Sequence, residues 1–586
     1  MRDRLLIRHF LWRFLEHEVV SASTDRHTIL SAVAGALLAI SLFAAVLVAW
    51  PYQLFPSMPP GLTSLRALDE RFLFMSSSML VMALAAVVQW DALMLDATDT
   101  AALGILPIPR STIVRTKFAA TALFAAAVVV AWNFCPTLLR AAAMPAGLRV
   151  GIVESARLTL AHGVVALVAG AFGFLAVLGL RETLFAIVGP ARFGKISAAL
   201  QAVLIVGLTT ALLLLPGASD VATRWRADPA VSARAVPSSW FVGLHETLAG
   251  SVIDSVPRTR PGRLLIRQEL AATSLYRSLW PLYRDLAVIA IGALSLVAIV
   301  TIAVCLWNSR RLPTAARVVP SSNRTLSRMW NWTIVHLVAR RPLSQAGFFF
   351  TLQTLSRRVT HRVALATAWA VGLAMIVVAS GGSYAAVDDA RSIPLAILAA
   401  QSLLLGSVLG GFRRATRLPS ELRASTTFRL ASPRDAVQFI SGVKRGGWIA
   451  VVLPALCGLS IWHIAVLGPR LAALHFVVGA ALSALAIEVM FFRDRRLPFV
   501  LGYASTVDVK VRLAGSVTGL VAVSFLMAWF ERQSFSSVTA FLALLGTLVV
   551  VGLILAVLNR VFSGSTVIFD VEDDSSLLAA SLNLTM

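Results

Sequence analysis

Twelve apolar runs, each close to twenty residues long and nearly free of charge, limit what this chain can fold into. About 20 apolar residues span the hydrocarbon core as an α-helix, and in lipid only helices and closed barrels satisfy every backbone donor and acceptor. The runs are continuous rather than alternating, so they specify helices and not barrel strands. They fall at 29–49, 72–90, 118–139, 158–180, 196–215 and 286–307, then at 362–380, 391–411, 447–468, 470–491, 512–530 and 537–557. With 58% hydrophobic residues and only 14% charged ones, the expected fold is all-α: a polytopic integral membrane protein of about 12 transmembrane helices in two six-helix repeats.

The formal charge of +23 would suggest nucleic acid in a soluble protein, but here the first question is which loops hold it. With the N-terminus inside, 35 of the 52 Lys and Arg fall in inner segments or at the inner ends of spans, and nine of the other 17 lie in one long outer loop, 216–285. Long loops escape the positive-inside rule, so both termini are predicted to be cytoplasmic. The arginine-rich inner segment 308–361 has no acidic residue and would lie against an anionic leaflet, which accounts for its excess without nucleic acid. The resulting organisation is a cytosolic or interfacial amphipathic helix at 1–28, a six-span half at 29–307, a basic linker with a second interfacial helix at 308–361, a second half at 362–557 and an acidic tail at 558–586. In that tail DVEDD, 570–574, is expected to be solvated. Cys135, Cys305 and Cys457 all fall within spans, which argues against a disulfide framework or a zinc site.

One octet, GPARFGKI at 189–196, copies most of a phosphate loop. A true phosphate loop follows a buried strand and carries Ser or Thr after its Lys to hold magnesium. Here Ile196 follows Lys195, and the octet joins two spans, so it is expected to be a Gly/Pro turn. No cofactor is expected on this chain, and no nucleotide-binding domain of its own.

Two features recur in the halves. Ile7, Phe10, Leu11, Phe14 and Leu15 make a helical stripe before the first span. Phe348, Leu352, Leu355 and Val359 make another before the seventh, with Phe349 in the same segment and Gln353, Arg357 and Arg358 off the stripe. Each predicts an amphipathic helix in the membrane interface, although a helix docked on protein would carry the same pattern. The second recurrence is an inner segment after spans two and eight. Leu106, Pro107, Pro109, Arg110 and Lys117 have counterparts in Leu430, Pro433, Arg434 and Lys444. Short cytosolic helices are expected at 109–117 and 433–444, with proline tolerated in the first turn. Asp91, Asp96 and Asp99 precede the first of them and are expected to solvate it or to meet a partner's basic surface.

These segments resemble the membrane subunits of ABC exporters of the type-2 class. DATDTAALGILPIPRSTIVRTK, 96–117, carries the likeness most fully; FFFTLQTLSRRVTHR, 348–362, and WFVGLHETLAG, 240–250, are similar to segments of large bacterial permeases of that group. The second inner segment has Leu-Ala-Ser-Pro in place of Leu-Pro-Ile-Pro and keeps only Glu421 of the acidic lead-in. The resemblance implies that the two inner segments are coupling elements seated on separately encoded ABC ATPase subunits, two per chain, with ATP and magnesium on those partners. It also implies a multi-pass protein of the bacterial cytoplasmic membrane.

An ion-coupled secondary transporter and a non-transporting membrane scaffold stay open as alternatives. Ion coupling calls for Asp, Glu, His or Lys deep in spans. The residues noted, Glu488, His162, His463 and His475, lie near span ends, where each is expected to face the interface.

Overall fold

The computed structural model describes residues 2–15, 35, 37–46, 59–93, 99, 103, 106–148, 151–215, 221–250, 266–315, 332–380, 393–418, 436–492, 498–499 and 509–562. Among them helix is the only regular structure, and nine helices are long and apolar enough to cross a membrane. The chain divides into two compact units, 1–320 and 321–586. Pro433, Arg434, Leu430, Glu421, Asp96 and the tail sequence 570–574 lie outside the described residues.

In the first unit, α1 (Arg2–Leu15) and the short apolar α2 (Leu37–Val46) precede α3 (Pro60–Val88), α4 (Arg110–Leu148), α5 (Ile152–Val188) and α6 (Pro190–Leu214). The segment 216–285, expected to be the outer one, forms α7 (Val221–Ala227), α8 (Pro237–Ala249) and α9 (Ile266–Ser278), and α10 (Trp280–Ala315) closes the unit. Its core is where the outer segment meets the long helices: Phe72, Phe172, Trp225, Phe241, Tyr276 and Tyr283 pack together, all buried. The outer helices are folded onto the bundle, with Asp69 Oδ1 accepting the Val221 amide at 2.8 Å. The Glu269 carboxylate takes the Gly61 and Leu62 amides at 2.7 and 3.1 Å. That carboxylate serves donors that the first turn of α3 leaves without an intrahelical partner.

The second unit contains α11 (Pro342–Arg357), α12 (Val359–Ser380), α13 (Leu395–Thr416), α14 (Ala436–Gly447), α15 (Leu453–Met490), α16 (Val509–Ser534) and α17 (Val538–Phe562). Helix α15 is a hairpin. Residues 12 apart on a straight helix stand about 18 Å apart, yet the His463 and His475 rings are 4.5 Å apart. The chain reverses at Gly468, φ 76° and ψ 163°, followed by Pro469. A side chain resists that positive φ, and proline's fixed φ starts the next helix. The octet at 189–196 uses the same device: Gly189 ends α5 at φ 78° and ψ 161°, and Pro190 begins α6. It is a corner between helices, tighter than the fifteen-residue connection that the apolar runs suggest, and Lys195 lies inside α6.

Both inner segments differ from expectation in the same way. Residues 110–117 are the first turns of the continuous α4, because KFAATALFAAA offers no glycine or proline to stop the helix. Residues 436–447 lead through a π turn, Trp448–Val452, into α15. The amphipathic helices pack on these segments, α1 on α4 and α11 on α14, with Phe10, Phe14, Phe348 and Leu355 buried. The second amphipathic segment also breaks sooner than expected, since Arg358 is extended and separates α11 from α12.

Glycine permits the α11–α14 crossing. A Cβ on Gly442 would lie 2.1 Å from the Ser344 carbonyl oxygen, and one on Gly347 would lie 2.2 Å from that of Phe439. Gly442 and Gly446 have the four-residue spacing that lets helices approach closely in lipid. Gly442→Ala should therefore cost about 1–3 kcal/mol through overpacking and lower the thermal midpoint in detergent. Gly546→Ala, with nothing within 4 Å of the added methyl, should leave that midpoint unchanged or raise it slightly.

Candidate functional site

A carboxylate in an apolar helix is costly unless charge and hydrogen bonds meet it. In the first unit Glu182, buried near the end of α5, is met by Asn308 from α10. The Asn308 amide nitrogen donates to the Glu182 main-chain oxygen at 2.9 Å and to its Oε2 at 2.8 Å. The neighbouring Arg181 guanidinium pairs with the same carboxylate and lies over the Phe193 ring at 5.8 Å. Arg110, opening α4, donates to the main-chain oxygen of Ser309, next to Asn308.

The second unit repeats this construction. Asn559 of α17 donates to the Glu488 main-chain oxygen at 3.1 Å and to its Oε2 at 2.8 Å. Here the cation is Lys444, 2.6 Å from Glu488 Oε2. Each half thus clamps the acidic end of one helix to an asparagine on its last long helix; Lys444 places its cation on the clamp itself, and Arg110 binds the residue beside it. Sequence reading singled out Glu488 but not Glu182, Asn308 or Asn559. The available signal was a lone Glu and a lone Asn closing the corresponding apolar runs of both halves.

The predicted coupling residues divide by environment. Leu106, Pro107, Pro109 and Arg110 are exposed. Lys117 is 1% exposed, 3.8 Å from Asp99 Oδ2 and 4.7 and 5.1 Å from the Phe10 and Phe14 ring centres. Asp99, expected to be solvated or to meet a partner's basic surface, is buried as well, beside Lys117, which α1 covers with Phe10 and Phe14. Among the predicted interfacial residues, Leu355 is buried, Phe349 and Leu352 are half-buried, and Arg357 is exposed.

The histidines expected at the interface are inside. His475 Nδ1 hydrogen-bonds to Glu531 Oε1 of α16 at 2.6 Å, and His463 Nε2 reaches the Ile397 main-chain oxygen at 3.3 Å. All three side chains are buried: the α15 hairpin brings the two histidine rings together, and Glu531 meets His475 from α16. In the first unit His162 lies 5.9 Å from the His245 ring, beside a buried group on Glu246. Arg71 pairs with that carboxylate, Tyr276 donates to it at 2.5 Å, and His245 Nδ1 is 3.4 Å away. Cys135, Cys305 and Cys457 are free thiols, and no metal-binding cluster occurs among the described residues.

Comparison with known protein families, with curated proteins and with solved structures finds no match. The geometry therefore carries the functional argument.

Replacing either asparagine removes the side-chain donor to the glutamate's main-chain oxygen and one of the donors to its carboxylate. Asn308→Leu should cost about 1–3 kcal/mol, and Asn559→Leu should cost less because solvent reaches a fifth of the Glu488 side chain; thermal denaturation in detergent measures both. Burial would push the Glu246 carboxyl up, but Arg71, His245 and Tyr276 together bring it from 4.5 to about 2. A carboxyl held below its unfolded value stabilises the fold fully above pH 4.5, and this contribution is lost as pH falls toward 2. Acid titration of the melting midpoint should therefore be steeper in that window for the native chain than for Glu246→Gln.

Proposed function

We propose that this chain is the permease subunit of an ATP-driven ABC exporter of the type-2 class. It has twelve spans in two like-oriented halves and lies in the bacterial cytoplasmic membrane with both termini inside. Two separately encoded ATPase subunits supply ATP and magnesium, and the chain hydrolyses nothing itself. One observation supports the reading: the second inner segment is bonded to the clamp that joins two long helices, and the first is bonded to the residue beside its clamp. A force applied to Arg110 or Lys444 passes through one or two hydrogen bonds to helix ends, as a mechanically coupled transporter requires.

The burial pattern divides the labour within the first segment. Leu106, 45% exposed, Pro107 and Pro109 form the face offered to an ATPase, while Lys117 holds the segment against α1. Leu106→Asp should abolish ATPase co-purification from native membranes and leave the melting midpoint unchanged. Lys117→Ala should lower the midpoint, because it leaves Asp99 buried without its cation. Undiminished recovery of the ATPase with Leu106→Asp, or no ATPase with the native chain, would refute the assignment.

The buried His463–His475–Glu531 group favours a second reading, ion coupling, since intramembrane ionisable groups commonly mark proton paths. Proteoliposomes containing a pH-sensitive dye separate the two. Proton flux that disappears with Glu531→Gln supports ion coupling, and its absence from the native chain supports the ATP-driven reading.

A further inference from the structure

We infer that the second unit binds an anionic phospholipid in a cavity between α14, the second arm of α15 and α17. The cavity measures about 380 Å³, within the range of sites that hold small molecules. One wall is apolar, built by Ala484, Leu485, Leu548 and Leu553, and the other end carries Lys444, Arg445 and Arg560.

Charge and surface character together select the occupant. Glu488 neutralises Lys444 at 2.6 Å. Arg445 donates to the Val338 main-chain oxygen at 2.6 Å, which orients the guanidinium without cancelling its charge. Arg560 is exposed, and neither arginine has an ion-pair partner among the described residues. Two cations with no acidic partner among the described residues therefore stand where an apolar cavity ends. Helix α17 is also the least buried of the candidate spans, at 11%, and Val549, Leu553 and Val557 are 45%, 61% and 58% exposed. The cavity thus continues an apolar surface suited to lipid. Free phosphate would use the arginines and none of the wall, whereas a neutral lipid would use the wall and leave the arginines unpaired. A diacyl lipid with a phosphate headgroup uses both, with an acyl chain along α17 and the headgroup between Arg445 and Arg560. The inference is independent of how transport is driven.

The test uses the full chain in nanodiscs of phosphatidylcholine with a minor share of phosphatidylglycerol, scored by native mass spectrometry of retained lipid. The native chain should retain phosphatidylglycerol above its share of the bilayer. Arg445→Ala and Arg560→Ala should each reduce that enrichment about fivefold, the worth of one cation at an anionic surface, while Arg560→Lys should keep it. Ala556→Trp, which fills the cavity without changing charge, should abolish the enrichment; Arg560→Lys controls for folding, as does the melting midpoint of the Trp variant. Inorganic phosphate added in excess should not displace the lipid. The proposal is overturned by no enrichment in the native chain, by enrichment that survives both arginine substitutions, by enrichment that survives Ala556→Trp, or by complete displacement with phosphate.

Discussion

Two carboxylates placed at the ends of apolar helices, Glu182 and Glu488, organise one end of each unit. An unpaired charge there would cost several kcal/mol, and a single cation would leave carboxylate lone pairs unmet. The solution in both units is an asparagine that donates to the side chain and to the main-chain oxygen of the same glutamate. Such a bond fixes a helix end in position and rotation together. Helices α5 and α10, and likewise the second arm of α15 and α17, are thereby pinned at one level.

The inner segments join this arrangement by different chemistry. Arg110 reaches a main-chain oxygen beside the asparagine, whereas Lys444 meets the glutamate itself. The amphipathic helices then cover the segments from outside, by aromatic rings around Lys117 in one unit and by a glycine-lined crossing in the other. The same mechanical connection is thus obtained with different residues. Sequence comparison of the halves found the segments but passed over the clamps for this reason: Glu182 and Asn308 are 126 residues apart, while Glu488 and Asn559 are 71 apart, because only the first half carries the long outer segment between them.

That outer segment shows how far periodicity and punctuation can be read. Its prolines suggest a region without an independent core, and its aromatic residues do complete the core of the first unit. The Glu246 group could not be inferred from spacing, since Arg71, Glu246 and Tyr276 come from three separate helices. The histidines were misread for a related reason. Nearness to a span end locates a residue along the membrane normal but not around the helix axis, and the hairpin at Gly468 decides that rotation.

Hydrophobic run length, loop charge and the Gly-Pro pairs are local properties, so the sequence alone determined that the chain is helical, membrane-bound and turned at Gly189 and Gly468. Backbone hydrogen bonding in lipid leaves little freedom in those respects. Tertiary structure alone decided which polar side chains meet: Lys117 against Asp99, Glu531 against His475, and an asparagine on each glutamate. Lipid supplies no hydrophobic force between helices, so small residues and the pairing of scattered polar groups set helix rotation and contact, and those pairings follow from proximity in space rather than order along the chain.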